Sequence, residues 1–313
     1  MLTDISIIIP TMNRPESLKR TLDCIVKCKV RPGEVIVVDQ SSDSKVINAN
    51  FNALSLISDK TNVKYLHQET PSLTRARNYG IQNATNGIIV CSDDDVDVKM
   101  DTFEIIQSVM SDKSIAMIAG LDTNTTLSSG NRGGYLFGTK SFKKRKIGHV
   151  TKSMLGRFPI SVDKITDTEW AMGFFFVIRK ELQEKWNLWW DEQLISYAYA
   201  EDLDFSYGYY KKCKEENFRC IYHPNIIVTH NATQEYRVPT RKSSLMYVIH
   251  RHYLAYKYGT ILNQVAVRWT TMWRIIGAIS HPEYMKNLIE GQLIFEKNRK
   301  IIKAGVIKKE FID

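Results

Sequence analysis

No stretch of the 313-residue sequence holds about 18 consecutive apolar residues, the minimum for a helix that crosses a bilayer, so a soluble or peripheral protein is expected. The opening segment, Met1 to Pro10, has no cationic stretch and no cleavage site, so a signal peptide is not expected. The five cysteines (Cys24, Cys28, Cys91, Cys213 and Cys220) form no C-x-x-C pair. Their odd number speaks against a disulfide framework and for free thiols in the reducing cytoplasm. Cys24 and Cys28, one helical turn apart beside Leu22 and Ile25, read as packing residues rather than metal ligands. No G-x-G-x-x-G follows the first apolar run, which removes the fingerprint of a dinucleotide-binding oxidoreductase. Internal repeats, low-complexity tracts and a recognisable nucleic-acid-binding module are also missing. Acidic residues thin out in the second half. Residues 1–125 hold 13 Lys and Arg against 16 Asp and Glu, whereas residues 126–313 hold 30 against 18. The whole net charge of +9 thus comes from the second half, where it suits a polyanion, an anionic membrane, a phosphorylated substrate or simply a solvated surface.

With 43% hydrophobic and 25% charged residues, the composition is that of a globular protein. The first third alternates short apolar runs with amphipathic stretches. The runs are Ile5–Ile9, Glu34–Asp39, Val63–His67 and Gly87–Ser92; between them lie helix-like Pro15–Lys27, Val46–Leu56 and Leu73–Asn83. Ile7-Ile8-Ile9 and Val35-Ile36-Val37-Val38 are apolar at every position, as strands buried on both faces require. A doubly wound α/β sheet follows, with ligands expected beyond the carboxyl ends of the strands. Those ends are polar: Pro10-Thr11-Met12-Asn13-Arg14, Asp39-Gln40-Ser41-Ser42-Asp43 and Ser92-Asp93-Asp94-Asp95. Farther on, Ile115–Gly120 predicts a strand, residues 121–165 a long loop region assigned to acceptor binding, Glu169–Arg179 a buried strand and Tyr199–Cys213 an aromatic-rich helix. From Arg241 onward, apolar residues recur at helical spacing among Lys, Arg and Tyr, predicting a basic helical C-terminal region.

Three adjacent aspartates after the apolar run Ile88-Ile89-Val90-Cys91 repel one another, and a divalent cation is one way to hold them. Hard oxygen ligands suit Mg²⁺ or Mn²⁺. The plainer alternative is an acidic turn, with Asp97 and Asp101 capping the next helix. Four segments together, Ile5-Ser6-Ile7-Ile8-Ile9-Pro10-Thr11-Met12-Asn13-Arg14, Val37-Val38-Asp39-Gln40-Ser41-Ser42, Ala76-Arg77-Asn78-Tyr79-Gly80 and Asp93-Asp94-Asp95, resemble the ordered signatures of family 2 glycosyltransferases. Trp189-Trp190-Asp191-Glu192 followed by Ala200-Glu201-Asp202 resembles the family's downstream acidic pair, and the likeness extends over about Ile5 to Asn231.

The resemblance implies a GT-A fold: a Rossmann-like, mixed, mostly parallel sheet flanked by helices, here with a C-terminal helical appendage. It divides the chain into a nucleotide-sugar-binding half (1–125), an acceptor and catalytic-base half (126–235) and a basic helical region (236–313). It implies an inverting, metal-dependent hexosyltransferase that takes a nucleotide-diphosphate sugar, most simply a UDP-sugar, to a hydroxyl of a growing glycan or lipid-linked saccharide. Pro10, Thr11, Asn13, Arg14, Asp39, Arg77, Asp93 and Asp94 would line the nucleotide site, Pro10 and Thr11 framing the base and Asp39 accepting from its imide N–H. Asp93, Asp95 and His230 would hold Mn²⁺ or Mg²⁺, and Asp202 would be the general base, with Glu201 in support. Read as residues alone, Asp39 is equally a turn aspartate, Asp202 a helix N-terminal acid and His230 an ordinary strand-end histidine. Beyond its place at the nucleotide site the role of Asp94 is open, as is that of Arg75. Where many relatives carry a basic residue after the acidic pair, this chain reads Phe205-Ser206-Tyr207-Gly208-Tyr209-Tyr210, so acceptor contacts are expected to differ.

Trp170, Trp189, Trp190 and Tyr197 are candidates for stacking on sugars, at most two of them, and core packing accounts for the others. Arg237, Arg241 and Lys242 are candidates for a flap over the diphosphate. The basic tail suggests docking on an anionic membrane face or on another subunit, so a peripheral, oligomeric state is compatible with the sequence. A non-catalytic carbohydrate- or nucleotide-binding protein on the same fold is the competing reading. It predicts loss of the metal and base carboxylates, all of which are present.

Overall fold

The computed structural model describes residues 3–59, 61–125, 127, 146–195, 199–231 and 240–312. Strands β1 (Ile5–Thr11), β2 (Glu34–Asp39), β3 (Asn62–His67) and β4 (Ile88–Ser92) form the parallel half of a mixed sheet in the order β3-β2-β1-β4. They alternate with helices α1 (Pro15–Val26), α2 (Ser44–Ala53) and α3 (Leu73–Asn83). Every residue of β1, β2 and β4 is buried, because helices cover both faces of the sheet. Alternation divides the core: Ile5, Ile7 and Ile9 pack with Leu18 and Leu22 of α1, whereas Ile8 packs with Ala76 and Ile81 of α3. The strand order turns back between β1 and β4, the point where a crevice opens in such sheets.

Beyond β4 come the short β5 (Val96–Asp97), α4 (Thr102–Met110) and β6 (Ile115–Asp122), followed by three two-residue strands: β7 (His149–Val150), β8 (Gly156–Arg157) and β9 (Thr166–Asp167). β10 (Phe175–Arg179) lies antiparallel between β4 and β6; α5 (Lys180–Lys185) and α6 (Glu201–Glu215) precede β11 (Arg219–His230), which runs parallel to β6 and pairs with β5 and β9. The buried strand expected over Glu169–Arg179 begins only at Phe175. Residues 169–174 leave the ladder because their backbone is used sideways: Ala171 N bonds Ser206 and Gly173 N bonds Asp202, both on α6. The expected loop region is partly structured, since β7 and β8 form a hairpin and Gly148 bridges Thr168; of the basic run 140–146 that the sequence places in it, residues 140–145 lie outside the described residues. The cysteines are free thiols, and Cys28 is packed at the foot of α1, where burial pushes its thiol up to about 12.

Helices α7 (Thr240–Tyr258), α8 (Ile261–Gly277) and α9 (Pro282–Lys303) complete the chain. They share one hydrophobic cluster with the main body, in which Leu245, Ile249, Phe295 and Phe311 pack with Met154, Trp170 and Leu203. Among the described residues no helix is long and apolar enough to cross a membrane.

Candidate active site

The three aspartates stand where β4 leaves the sheet, and each side chain is held by a different partner. Asp94, 2% exposed, points inward; Thr11 Oγ1 donates to it at 2.6 Å and Arg14 Nη1 at 2.6 Å, while Thr21 Oγ1 donates to its backbone carbonyl. Burial pushes the Asp94 carboxyl up to about 7, against the pull of Arg14 and Thr11. This residue ties the end of β4 to β1 and α1, a role its sequence context does not reveal. Arg14 extends its other nitrogen to Asp95 at 2.9 Å. Asn13, with φ of 58°, takes the left-handed conformation that asparagine tolerates, and its N–H donates to Ser41 Oγ beyond β2.

Asp95 is carried next to His230 by strand pairing. β5 joins the end of β11 with His230 opposite Val96, and both the N–H and the side chain of Asn231 donate to the Asp95 carbonyl. His230 Nε2 lies 3.2 Å from Asp95 Oδ1, and its ring stacks on Phe174 at 5.2 Å. One ligand atom from each of Asp93, Asp95 and His230 falls within 4.8 Å of the others. Two carboxylates and an imidazole match the donor preference of Mn²⁺ or Mg²⁺, the imidazole favouring Mn²⁺, so these residues fit the metal that the sequence calls for. Burial works against the charged His230 ring, but Asp95 and Asp93 outweigh it and raise its pKa. Asp93 is raised by burial and by Asp95, with Arg77 opposing.

Arg77 lies beneath this triad. The side chain is 1% exposed, and the guanidinium reaches Asp93 at 3.0 Å, Glu201 at 3.1 Å and the Gly173 carbonyl at 3.0 Å, with Trp190 4.3 Å below it. Gly173 in turn donates its N–H to Asp202 Oδ2 at 3.1 Å. A Cβ on Gly173 would sit 3.1 Å from both Arg77 Nη2 and Asp202 Cβ, so only glycine lets the two approach without displacement. Asp202 is partly exposed at the first turn of α6; Leu203 N–H donates to its other oxygen. Burial raises its pKa against those two backbone donors, and burial together with Asp202 raises that of Glu201. Ala200, just before this turn, is a non-glycine residue at φ 66°, a strain of about 1–3 kcal/mol of the kind that recurs where a catalytic turn is aimed. A raised carboxyl that stays reachable from solvent has the character of a general base.

The remaining candidates fall into two groups. Asp39, wholly buried at the end of β2, accepts from Ser41 N–H at 2.8 Å, Asn50 at 2.8 Å and the Tyr65 hydroxyl at 2.6 Å, so its carboxylate is fixed at the crevice floor. Pro10 is buried within β1, and Asn13 is exposed at the rim. Arg75 forms an exposed pair with Glu192 at 3.2 Å, and Asn78 brackets the Trp190 backbone through both its amide atoms. Asp191 is held by Lys257 and Tyr253 of α7, and Asp204 by Lys257. Trp170 and Trp190 are core residues, leaving Trp189 as the half-exposed candidate for a sugar; Tyr197 lies outside the described residues. Arg241 is engaged with Glu290 of α9, and Arg237 is also outside the described residues. Sequence reasoning missed Gly173, whose only signal is a glycine standing just before the run Phe174-Phe175-Phe176-Val177-Ile178.

The family model described as glycosyl transferase family 2 matches residues 6–186. No curated protein matches the sequence. Among solved structures the chain is similar to residues 1–349 of S. aureus TarS, with a TM-score of 0.51 and 15% identity over 86% of this chain and 70% of that one. Mannosyltransferase PcManGT from Pyrobaculum calidifontis, solved with GDP-Man and Mn²⁺, aligns with a TM-score of 0.53 and 16% identity over 96% and 84% of the two chains. GalNAc-T7, solved with UDP, GalNAc and Mn²⁺, gives 0.57 and 18% over 88% of this chain, which spans 57% of that relative's length.

Proposed function

Since the chain belongs to glycosyl transferase family 2 and is a glycosyltransferase with a GT-A fold, we propose that it is an inverting, metal-dependent enzyme transferring a hexose from a UDP-sugar to a hydroxyl of a growing glycan or lipid-linked saccharide. The observation that carries this reading is one continuous polar path: Asp93, Asp95 and His230 on one side are joined through Arg77 and Gly173 to Asp202 on the other. The triad would hold Mn²⁺ or Mg²⁺, and a cation bound there offsets the charge that grows on a departing nucleotide diphosphate. Asp202 would take the proton from the acceptor hydroxyl as that oxygen attacks the anomeric carbon from the side opposite the leaving group, which inverts the centre. Gly173 and Leu203 aim that carboxylate through their N–H groups, and Arg77 keeps Asp93 in place. Asp39, oriented by three donors, would use a remaining lone pair to accept from the imide N–H of the base, so that a base without that donor forgoes one hydrogen bond. Residues 1–125 would form the donor half, 126–235 the acceptor half and 236–313 a helical support. Relatives solved with UDP-GlcNAc, with GDP-Man and with UDP support a nucleotide-sugar donor of this general kind.

Thermal-shift titration with UDP, GDP and their sugars, with and without Mn²⁺, tests the proposal. UDP is expected to raise Tm only when metal is present, by the equivalent of about 2.7 kcal/mol at a hundredfold excess over Kd. Asp202→Asn should keep that shift while transfer falls about 10²–10⁴-fold, and Asp95→Asn should lose the metal-dependent shift. Absence of any nucleotide-dependent shift, or full transfer by Asp202→Asn, would refute the reading.

A further inference from the structure

Helix α8 is built inside out. Its inward face carries Gln264, Thr270 and Thr271 beside Val267, whereas Leu262, Val265, Trp269, Met272 and Ile276, with Ile279 just past its end, face solvent at 40–67% exposure. Their spacing of three and four residues puts them on one stripe of the helix. Leaving such a stripe in water has no structural benefit, and contiguous apolar surfaces of this kind mark contact with something else. α8 contains no acidic residue; its two charges are Arg268 and Arg274.

The neighbouring face of α9 shows what covers it. Lys286, Ile289, Leu293, Lys297 and Lys300 recur at helical spacing, all exposed, so lysines bracket apolar side chains along a single row. Of the acids bordering this row, Glu296 is taken by Arg268 at 2.8 Å, a pair that joins the two helices, Glu290 is taken by Arg241, and Glu283 stands exposed at the start of α9. A second copy of the chain docked here about a two-fold axis would set these lysines against one another, with two of the three bordering acids already held by arginines. A surface that is apolar below and anionic at its rim satisfies both halves: apolar side chains enter the acyl boundary, tryptophan sits at headgroup depth and lysine ends remain at the phosphates.

We propose that the outward faces of α8 and α9 form a docking surface for an anionic lipid bilayer, on which the protein lies without crossing it. The claim rests on this surface alone and stands apart from the transferase reading.

Flotation of the full chain with phosphatidylcholine vesicles, with and without phosphatidylglycerol, tests it at low and high salt. The protein should float with the anionic vesicles at low salt and remain below with neutral ones. Trp269→Gln with Met272→Gln, and separately Lys297→Gln with Lys300→Gln, should each weaken binding at least about tenfold. All these side chains are exposed, so Tm and circular dichroism should be unchanged and separate a binding defect from unfolding. Failure of the wild type to float with anionic vesicles would overturn the proposal, as would undiminished flotation of both variants. A lipid-free dimer in light scattering that Met272→Gln disperses would assign the surface to a second copy and overturn it equally.

Discussion

Gly173 has no side chain, yet it governs the relation between the two halves of the site. Its N–H positions Asp202 and its carbonyl receives Arg77, which in turn holds Asp93. Gly173→Ala would place a Cβ 3.1 Å from both Asp202 and Arg77, tighter than ordinary contact, so the carboxylate or the guanidinium must move by a few tenths of an ångström. The expected stability cost is about 1–3 kcal/mol, but a larger effect is expected in kcat, about tenfold or more, because small misplacement of a reacting group is expensive. Donor KM should change little; steady-state kinetics beside a denaturation curve separate the two effects. At this scale the sequence singled out Asp93, Asp95, His230 and Asp202, since carboxylates and a histidine at strand and helix ends form patterns in a linear sequence, and the structure brings the first three within 4.8 Å of one another. Arg77 was expected to line the nucleotide site, and its place beneath Asp93 depends also on Glu201, 124 positions away. Asp94 was unreadable because nothing in three consecutive aspartates says which one turns inward toward Thr11 and Arg14.

The elements most clearly drawn in the sequence were the fully apolar strands and the helices between them: β2 and α3 fall on the expected residues, Glu34–Asp39 and Leu73–Asn83. The partial failure at Glu169–Arg179 has a cause. Residues 169–174 are largely apolar, but the N–H groups of Ala171 and Gly173 are spent on Ser206 and Asp202 of α6, and β4 is met only at the Phe174 carbonyl, which accepts from Asp93 N–H. α7 carries a prediction of its own. His250 and His252 are both fully buried, and burial pushes each pKa down from 6.5 to about 4. His250 Nδ1 faces the Tyr199 carbonyl, and His252 lies between Gln264 and Gln292 while stacking on Phe295 at 3.6 Å. The unfolded chain therefore binds these protons near pH 6.5 and the folded chain only near pH 4. Their contribution is complete above pH 6.5 and is lost as pH falls toward 4, by roughly 3 kcal/mol per histidine. Urea unfolding at pH 7.5, 6, 5 and 4 should show this decline, and His252→Gln should flatten it.

For the whole molecule, the expected C-terminal helices share a hydrophobic cluster with the main body. Leu245, Ile249, Phe295 and Phe311 complete a cluster with Trp170, Met154 and Leu203, and Lys257 bridges Asp191 and Asp204 on either side of Asp202. A fragment ending at residue 239 should therefore not fold cooperatively: it should aggregate on expression or lose a sharp thermal transition, and a soluble, nucleotide-binding fragment would contradict this. The sequence by itself determined the α/β class, the family, the strand ends that meet in one crevice and most of the acidic side chains placed there, because apolar periodicity and local motifs depend on neighbours in the chain. Only the tertiary structure decided that Arg77 and Gly173 link the Asp93, Asp95 and His230 cluster to Asp202, that Asp94 is a buried clamp, that Trp190 is core and that the apolar stripe of α8 faces outward. Each of these depends on which distant segment lies opposite a given side chain, and that is settled by packing across the sheet and between helices rather than by local propensity.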